Sequence, residues 1–149
     1  MQLRKFTQGD IQTVRLFDKK HAPHPPKYHI DTTNELTSFF NKKSFVCYGL
    51  YHDRVMVGHV SYWKDTKNIY YLNALVIHTQ HRKKGLASNV FNKIKEEIKE
   101  KGGKEIFLTV SPLNKDAISF YEKQGFKVYN SKTDVYSLGS DRLYMKFTL

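Results

Sequence analysis

The stretch from Ile69 to Ser88 leaves this chain few choices of fold. Ile69-Tyr-Tyr-Leu-Asn73-Ala-Leu75-Val-Ile77 is a mostly apolar run of strand length that follows the turn-forming Lys64-Asp-Thr-Lys-Asn68. It ends in His78-Thr-Gln-His-Arg82-Lys83-Lys84-Gly85, and beyond it Leu86, Val90, Phe91, Ile94 and Ile98 recur at near-helical spacing. A strand, a basic turn and a helix start therefore follow one another directly. A helix start exposes unpaired backbone N–H groups and the positive end of the macrodipole, which together attract an anion. Gly85 lets the backbone approach a phosphate, and Ala87 keeps that approach open one step later. Successive N–H groups in such a turn can form a concave nest, with Arg82, Lys83 and Lys84 adding charge at its rim. The turn lacks the spacing of a Walker A loop and the first glycine of a dinucleotide fingerprint. On these residues alone, a phosphate cradle and an ordinary basic turn both remain open.

The rest of the chain reads as compact alternating elements. Gln2–Phe6 is a short strand, and Asp10 caps a helix running to about Lys20. His21-Ala-Pro-His-Pro-Pro-Lys-Tyr-His29 is a loop, because three prolines in four positions remove backbone donors and fix φ. A second short helix covers residues 34–41. Residues 44–51 and 55–63 are strands joined by His52-Asp-Arg as a tight hairpin, and 69–77 is a third. A long helix over 85–101 stops at Gly102-Gly103, with Lys93, Glu97 and Lys101 forming a solvated face. A strand over 106–110 precedes a helix over 115–124 that Gly125 terminates, and strands over 126–129 and 142–147 close the sheet. The order β-α-α-β-β-β-α-β-α-β-β implies an α+β fold with a mixed sheet. A chain of 149 residues with no repeat or linker reads as one domain, 1–149.

Composition narrows the functional classes. The chain carries 25 Lys and Arg against 14 Asp and Glu, a formal charge of +11. That field suits nucleic acid or a phosphate-rich cofactor equally well. Basic residues are spread along the sequence and form no nucleic-acid motif, which disfavours the first. No apolar run approaches a membrane span, the first residues lack a signal peptide's apolar core, and a lone Cys47 fits a reducing, cytoplasmic setting. His21, His24 and His29 sit in a proline-rich loop without supporting Cys or carboxylates, so no metal site is expected.

Two motifs together carry a resemblance. Arg82-Lys83-Lys84-Gly85-Leu86-Ala87 resembles the [Arg/Gln]-x-x-Gly-x-[Gly/Ala] signature of the GNAT superfamily of acyl-CoA-dependent N-acyltransferases. Downstream, Asn114-Lys-Asp-Ala117-Ile-Ser-Phe120-Tyr121-Glu-Lys-Gln-Gly125-Phe126 resembles that family's Asn-x-x-Ala-x-x-[Phe/Leu]-Tyr-x-x-x-Gly-Phe segment. The resemblance spans about two-fifths of the chain. It implies a central, mostly antiparallel mixed sheet of about seven strands flanked by about four helices, with acetyl-CoA as co-substrate. By resemblance, N–H groups from Lys83 to Ser88 hold the CoA pyrophosphate, and the backbone of Leu75 and Ile77 pairs with the pantetheine arm. Asn114 hydrogen-bonds pantetheine, Ala117 packs beside it, and Tyr121 faces the thioester. Read without the family, Asn114 is an N-cap and Ala117, Phe120 and Tyr121 are core.

The implied reaction is attack of a primary amine, on a small molecule or a peptide, upon the thioester carbonyl. A lysine-like amine is only about 0.04% neutral at pH 7, so a general base, or a water chain leading to one, is worth about 10²–10⁴-fold. A strand N–H near Ile77 would stabilise the developing oxyanion, and Tyr121 would protonate the leaving thiolate. Several family members place a glutamate on the strand before the phosphate turn; here that position is Asn73, which can orient water or substrate but cannot accept a proton. His59, His78 and Glu35 are candidate bases, and the proline loop is expected to border the acceptor. The departure at Asn73 keeps a non-catalytic acyl-CoA sensor as the alternative, and the expected state is a monomer or a homodimer.

Overall fold

The computed structural model describes residues 1–23 and 30–149. Seven strands form one sheet in the order β1-β2-β3-β4-β5-β7-β6. They are β1 (Gln2–Lys5), β2 (Val46–His52), β3 (Val55–Lys64), β4 (Tyr70–Ile77), β5 (Glu105–Val110), β6 (Lys127–Lys132) and β7 (Arg142–Thr148). The helices are α1 (Ile11–His21), α2 (Thr33–Phe40), α3 (Leu86–Glu100) and α4 (Lys115–Lys123). Every neighbouring strand pair is antiparallel except β4 with β5. The α+β expectation, with about seven strands and four helices, agrees with the structure. The expected hairpin turn closes on Asp53 and Arg54, both at positive φ, as the tight two-residue turn between β2 and β3 requires.

Two hydrophobic clusters lie on the two faces of the sheet. On one face, Leu50, Val60, Tyr62, Tyr70, Leu72, Ile106 and Met145 pack with Val90, Phe91, Ile94 and Ile98 of α3. Helix α3 buries the predicted apolar stripe because those residues share one side at 3.6-residue spacing. On the other face, Ile11 and Val14 of α1 and Leu36 of α2 pack with Phe6 and Cys47. Burial in that second cluster pushes the Cys47 thiol up to about 12, consistent with a small buried hydrophobe.

Local chemistry departs from the sequence reading at two points. Asp10 precedes α1 but makes no side-chain cap to it. Its carboxylate accepts from the Thr7 N–H at 2.9 Å and from Arg4, closing a short 3-10 turn, Gln8–Asp10, ahead of the helix. Glu97 is not simply part of a solvated face: it is half-buried and accepts from the Tyr48 hydroxyl at 3.2 Å and from Lys101. Gly125 ends α4 in the left-handed conformation, φ 97°, as expected.

His21, at the end of α1, is buried and stacks on His78 just beyond β4, with ring centroids 3.9 Å apart. Phe17 lies against it at 4.6 Å. Burial first, then the positive charge of neighbouring His78, Lys20 and Arg82, lowers the pKa of His21 from its ordinary 6.5. Among the described residues, His21 Nδ1 has no hydrogen-bond partner.

Two outcomes follow from this packing. A Cβ at Gly49 would stand 2.2 Å from Cζ of Phe6, so Gly49→Ala should destabilise the fold by about 1–3 kcal/mol in urea denaturation. The unfolded chain protonates His21 near 6.5, whereas the folded chain does so at a lower pH. Between those values the unfolded state binds more protons, so stability rises with pH through that window, and on acidification it falls across the same window and levels off below it. His21→Phe should therefore lose less of its urea midpoint than the parent between about pH 7.5 and pH 5.5.

Candidate functional site

Strand β4 is built to leave its neighbour. Tyr62 of β3 pairs with Leu72 and Ser61 with Ala74, so Asn73 is an extra residue bulged out of the ladder. The bulge shifts the alternation: Tyr70 and Leu72 face α3 before it, and Leu75 and Ile77 after it. On its other side β4 pairs with β5 only at Tyr70–Ile106 and Tyr71–Phe107. Strand β5 meanwhile stays paired with β7 over its whole length, from Glu105–Thr148 to Val110–Leu143. The two parallel strands consequently diverge beyond Tyr71, leaving the β4 segment that holds Leu75 and Ile77 without a ladder partner on that side.

The basic turn stands at the end of that opening. Lys83 and Gly85 both have positive φ, 57° and 78°, and Gly85 is the residue before the first turn of α3. The first backbone hydrogen bond of the helix is from the Asn89 N–H to the Gly85 carbonyl. Among the described residues, the N–H groups of Lys83, Lys84, Gly85, Leu86, Ala87 and Ser88 have no acceptor. A Cβ built on Gly85 would meet nothing within 4 Å, so backbone conformation, not crowding within the chain, demands glycine there. The side chains of Lys83 and Lys84 are exposed. Arg82 is used differently: its Nε donates to the Ile77 carbonyl at 3.1 Å and its Nη2 to the His21 carbonyl. It braces the turn against β4 and α1, with its guanidinium directed back into the chain. His78 is likewise engaged, its Nδ1 accepting from the Gln80 N–H at 3.2 Å.

Helix α4 flanks the same opening, following β5 as α3 follows β4. Asn114 Oδ1 accepts from the Ala117 N–H at 3.2 Å, which is the N-cap reading. Its amide nitrogen has no partner among the described residues, so the cap leaves two donors over. Leu75, Leu86, Ala87, Ala117 and Tyr121 all pack against one cluster, bringing five of the predicted residues to the α3 side of the opening. Ser88 Oγ accepts from Gln124 Nε2 at 3.2 Å and ties the start of α3 to the end of α4. Tyr121 packs edge-on against Phe126 at 5.4 Å, and burial pushes its phenol well above the ordinary tyrosine value. It is therefore protonated throughout the physiological range.

Asn73 lies on the opposite face of β4. Its Nδ2 donates to Ser61 Oγ at 3.3 Å and to Asp31 Oδ2 at 3.2 Å. A carboxylate only accepts, so the amide must present its NH₂ group to Asp31. Asp31 and Ser61 were not singled out from the sequence. Ser61 could have been, because it alternates with His59 and Trp63 on β3; Asp31 has no local signal, being 42 positions from its partner. Trp63 stacks on Tyr71 at 4.3 Å, and the aromatic contacts continue across the sheet from Tyr71 to Phe107 and from Phe107 to Tyr129. That half-exposed stripe runs beside Asn73 on the same face.

The candidate bases are all otherwise occupied. Glu35 accepts from the Thr32 N–H at 2.6 Å in a capping box at the start of α2. His59 Nε2 stands 2.6 Å from Asp18 Oδ1, and both side chains are buried. The greater part of the proline loop, with His24 and His29 and the expected acceptor border, lies outside the described residues. Among the described residues, no three His, Cys, Asp or Glu side chains gather as a metal site would. Among them too, no helix is long and apolar enough to cross a membrane.

This architecture recurs in solved structures. The ribosomal-protein-S18-alanine N-acetyltransferase of Escherichia coli superposes with a TM-score of 0.83 at 15% identity, covering 99% of this chain and 92% of that one. Ard1 from Thermoplasma volcanium gives 0.82 at 20% identity, covering 99% and 97%. An aminoglycoside 6'-N-acetyltransferase complexed with coenzyme A gives 0.74 at 16% identity, again covering 99% and 97%. At such identities the likeness speaks for the fold alone. A sequence model of the Acetyltransferase (GNAT) family matches residues 13–126, which span the bulged strand, the basic turn and both flanking helices, and the chain belongs to that family.

Proposed function

We propose that this chain, acting as one N-acetyltransferase domain, transfers an acetyl group from acetyl-CoA to a primary amine by direct attack on the thioester. The observation that carries the reading is the opening between β4 and β5, with a turn of unpaired N–H groups at its mouth. An edge strand whose ladder has ended is a template for an extended ligand bearing amides. The pantetheine arm has that chemistry, and the free edge of β4 around Leu75 and Ile77 is where it would pair. The N–H groups of Lys83 to Ser88 would take the pyrophosphate, assisted by the α3 macrodipole and by the exposed ammonium groups of Lys83 and Lys84. Arg82 would contribute by holding the turn in shape. The unused donors of Asn114 and the small side chain of Ala117 would face the arm from α4. One of the superposed relatives is a coenzyme A complex, which supports the same cofactor here.

The chemical steps assign few residues. The amine nitrogen, once neutral, attacks the carbonyl carbon; a C–N bond forms and the C–S bond breaks. A β4 backbone N–H near Ile77 would stabilise the oxyanion. Tyr121, held protonated by burial, would supply the proton that the departing thiolate needs. Asn73 would orient substrate from the other face, because both of its amide hydrogens are already directed at Asp31 and Ser61. The acceptor would be a small molecule or peptide amine, and the protein would act as a monomer or homodimer without a metal ion.

Two variants separate the roles. Tyr121→Phe should lower kcat by about 10²–10⁴-fold with little change in the KM for acetyl-CoA, measured by thiol release against a panel of amines. Saturable acetyl-CoA binding with no turnover of any amine by the parent would instead mark a ligand-sensing module. Gly85→Ala must adopt positive φ, at a cost of about 1 kcal/mol, and should raise the KM for acetyl-CoA more than it lowers kcat. An unchanged KM in that variant would remove the turn from the cofactor site.

A further inference from the structure

We infer that the sheet face spanning β3, β4, β5, β7 and β6 docks single-stranded nucleic acid, through base stacking on a row of rings and phosphate contacts to the lysines beside it. The strand registers assemble that row. Trp63 of β3 stands opposite Tyr71 of β4, and Tyr71 opposite Phe107 of β5. Phe107 stands opposite Lys146 of β7, and Lys146 opposite Lys127 of β6. Residues directly opposite one another project from the same face, so one line of side chains crosses five strands: three rings, then two ammonium groups. At about 4.8 Å between neighbouring strands, the line is roughly 19 Å long. Tyr129 at the β6 bulge and Tyr144 of β7 widen it, with ring centroids 5.5 Å from Phe107 to Tyr129 and 6.2 Å from Tyr129 to Tyr144. The Lys42 ammonium lies 4.3 Å from the Trp63 ring at one end, and that of Lys132 lies 5.2 Å from the Tyr144 ring at the other.

Among the described residues, no helix closes this part of the sheet. Helices α3 and α4 pack on the other side, over Ile106, Leu108 and Met145. The cluster beneath α1 and α2 ends at Met56 of β3. The rings of the row belong to neither cluster and are partly exposed, and Lys42, Lys127, Lys132 and Lys146 are exposed. The nearby acids sit at the margin. Glu105 lies on the same face at the start of β5, Asp31 lies beyond the row beside Asn73, and the Asp65 carboxylate is tied to the Lys67 and Ile69 N–H groups at 2.8 and 3.0 Å. The local balance is therefore positive, in keeping with the chain's formal charge of +11.

A single strand matches both halves of this surface, since every base has a π face and every linkage a phosphate. A second copy of the chain would set lysines against lysines, an acidic peptide would leave the rings unused, and a duplex hides its bases. Four-stranded sheets bind RNA by stacking two or three bases on aromatic side chains, and a row of this length has room for as many. The rings and lysines come from five strands, so no local run of sequence displays them together. The row crosses β4 near its start, at Tyr71, whereas the basic turn follows its end at Ile77. The surface is thus separate from that turn, and the inference does not depend on the acetyltransferase reading.

Trp63 is the sole tryptophan of the chain and stands in the row, so its emission reports the occupant. The test titrates the protein with oligouridylate and oligothymidylate of about 12 nucleotides, reading Trp63 emission and the anisotropy of a labelled strand. Heparin serves as a polyanion without bases, and polyglutamate as an acidic polypeptide. Both single strands should bind saturably and quench Trp63, and heparin and polyglutamate should leave its emission unchanged. Phe107→Leu removes a ring and no charge; it should weaken strand binding roughly 5- to 100-fold while leaving heparin binding near that of the parent. Tyr129→Ser, at an exposed position, should act in the same direction with the melting temperature near that of the parent. Lys127→Gln with Lys146→Gln should make the log-log salt slope shallower by about 1.4 between about 50 and 200 mM salt. Saturating acetyl-CoA should not displace the strand. Displacement by acetyl-CoA would put the strand on the basic turn and overturn the inference. Strand binding without Trp63 quenching, or binding indifferent to both ring variants, would reduce the surface to bulk charge and overturn it too. Quenching by polyglutamate at equal affinity would assign the face to an acidic protein instead, and no saturable strand binding would sink the idea outright.

Discussion

Strands β4 and β5 run parallel and hold together at only two residue pairs. That short ladder is the constraint on which the site depends. A backbone edge inside a folded chain must find partners in protein, water or ligand. Strand β5 satisfies its other edge on β7, and β4 satisfies its other edge on β3, so neither collapses toward the gap. The bulge at Asn73 supplies the extra residue that turns β4 away while returning Leu75 and Ile77 to the α3 face. The connections then place themselves. Because α3 follows β4 and α4 follows β5, both helices begin where the parallel strands diverge. Ligands in sheets with parallel strands bind beyond the carboxyl ends of those strands for the same reason. The packing of Phe91 against Phe126 and Phe147 ties α3 to the strands beyond α4, so that the two helix starts form one rim.

Much of this was legible from residues alone, for physical reasons that differ by element. Helix α3 was readable because Val90, Phe91, Ile94 and Ile98 are all buried on one side, and a 3.6-residue period needs no tertiary information. The turn before it was readable because Gly85 marks a positive φ and the lysines mark charge. The bulge was not. The run Leu72-Asn73-Ala74-Leu75 carries no glycine and looks like regular strand; only the register against Ser61 and Tyr62 reveals the inserted residue. Asp10 misled because an acid before a helix is the ordinary cap, whereas here a 3-10 turn intervenes and Thr7 and Arg4 claim the carboxylate. Glu35, His59 and His78 were visible as titratable groups, but their partners Thr32, Asp18 and Gln80 decide what they do. Charge on a side chain is local information; availability of that charge is tertiary.

The two faces of β4 carry opposite electrostatic demands, and the fold separates them by one strand thickness. On the α3 face stand bare N–H groups, a helix start and exposed lysines, a set that suits the polyanion proposed above. On the α1 and α2 face the groups at the bulge are a carboxylate, an amide and a hydroxyl: Asp31, Asn73 and Ser61. Placing Asp31 beside the basic turn would oppose the positive field there. A bulge is an economical way to serve both, since it lets neighbouring residues of a single strand address different faces out of strict alternation. The excess of basic residues along the chain contrasts with the carboxylate that Asp31 brings to Asn73. The global positive field would favour the anionic co-substrate proposed above.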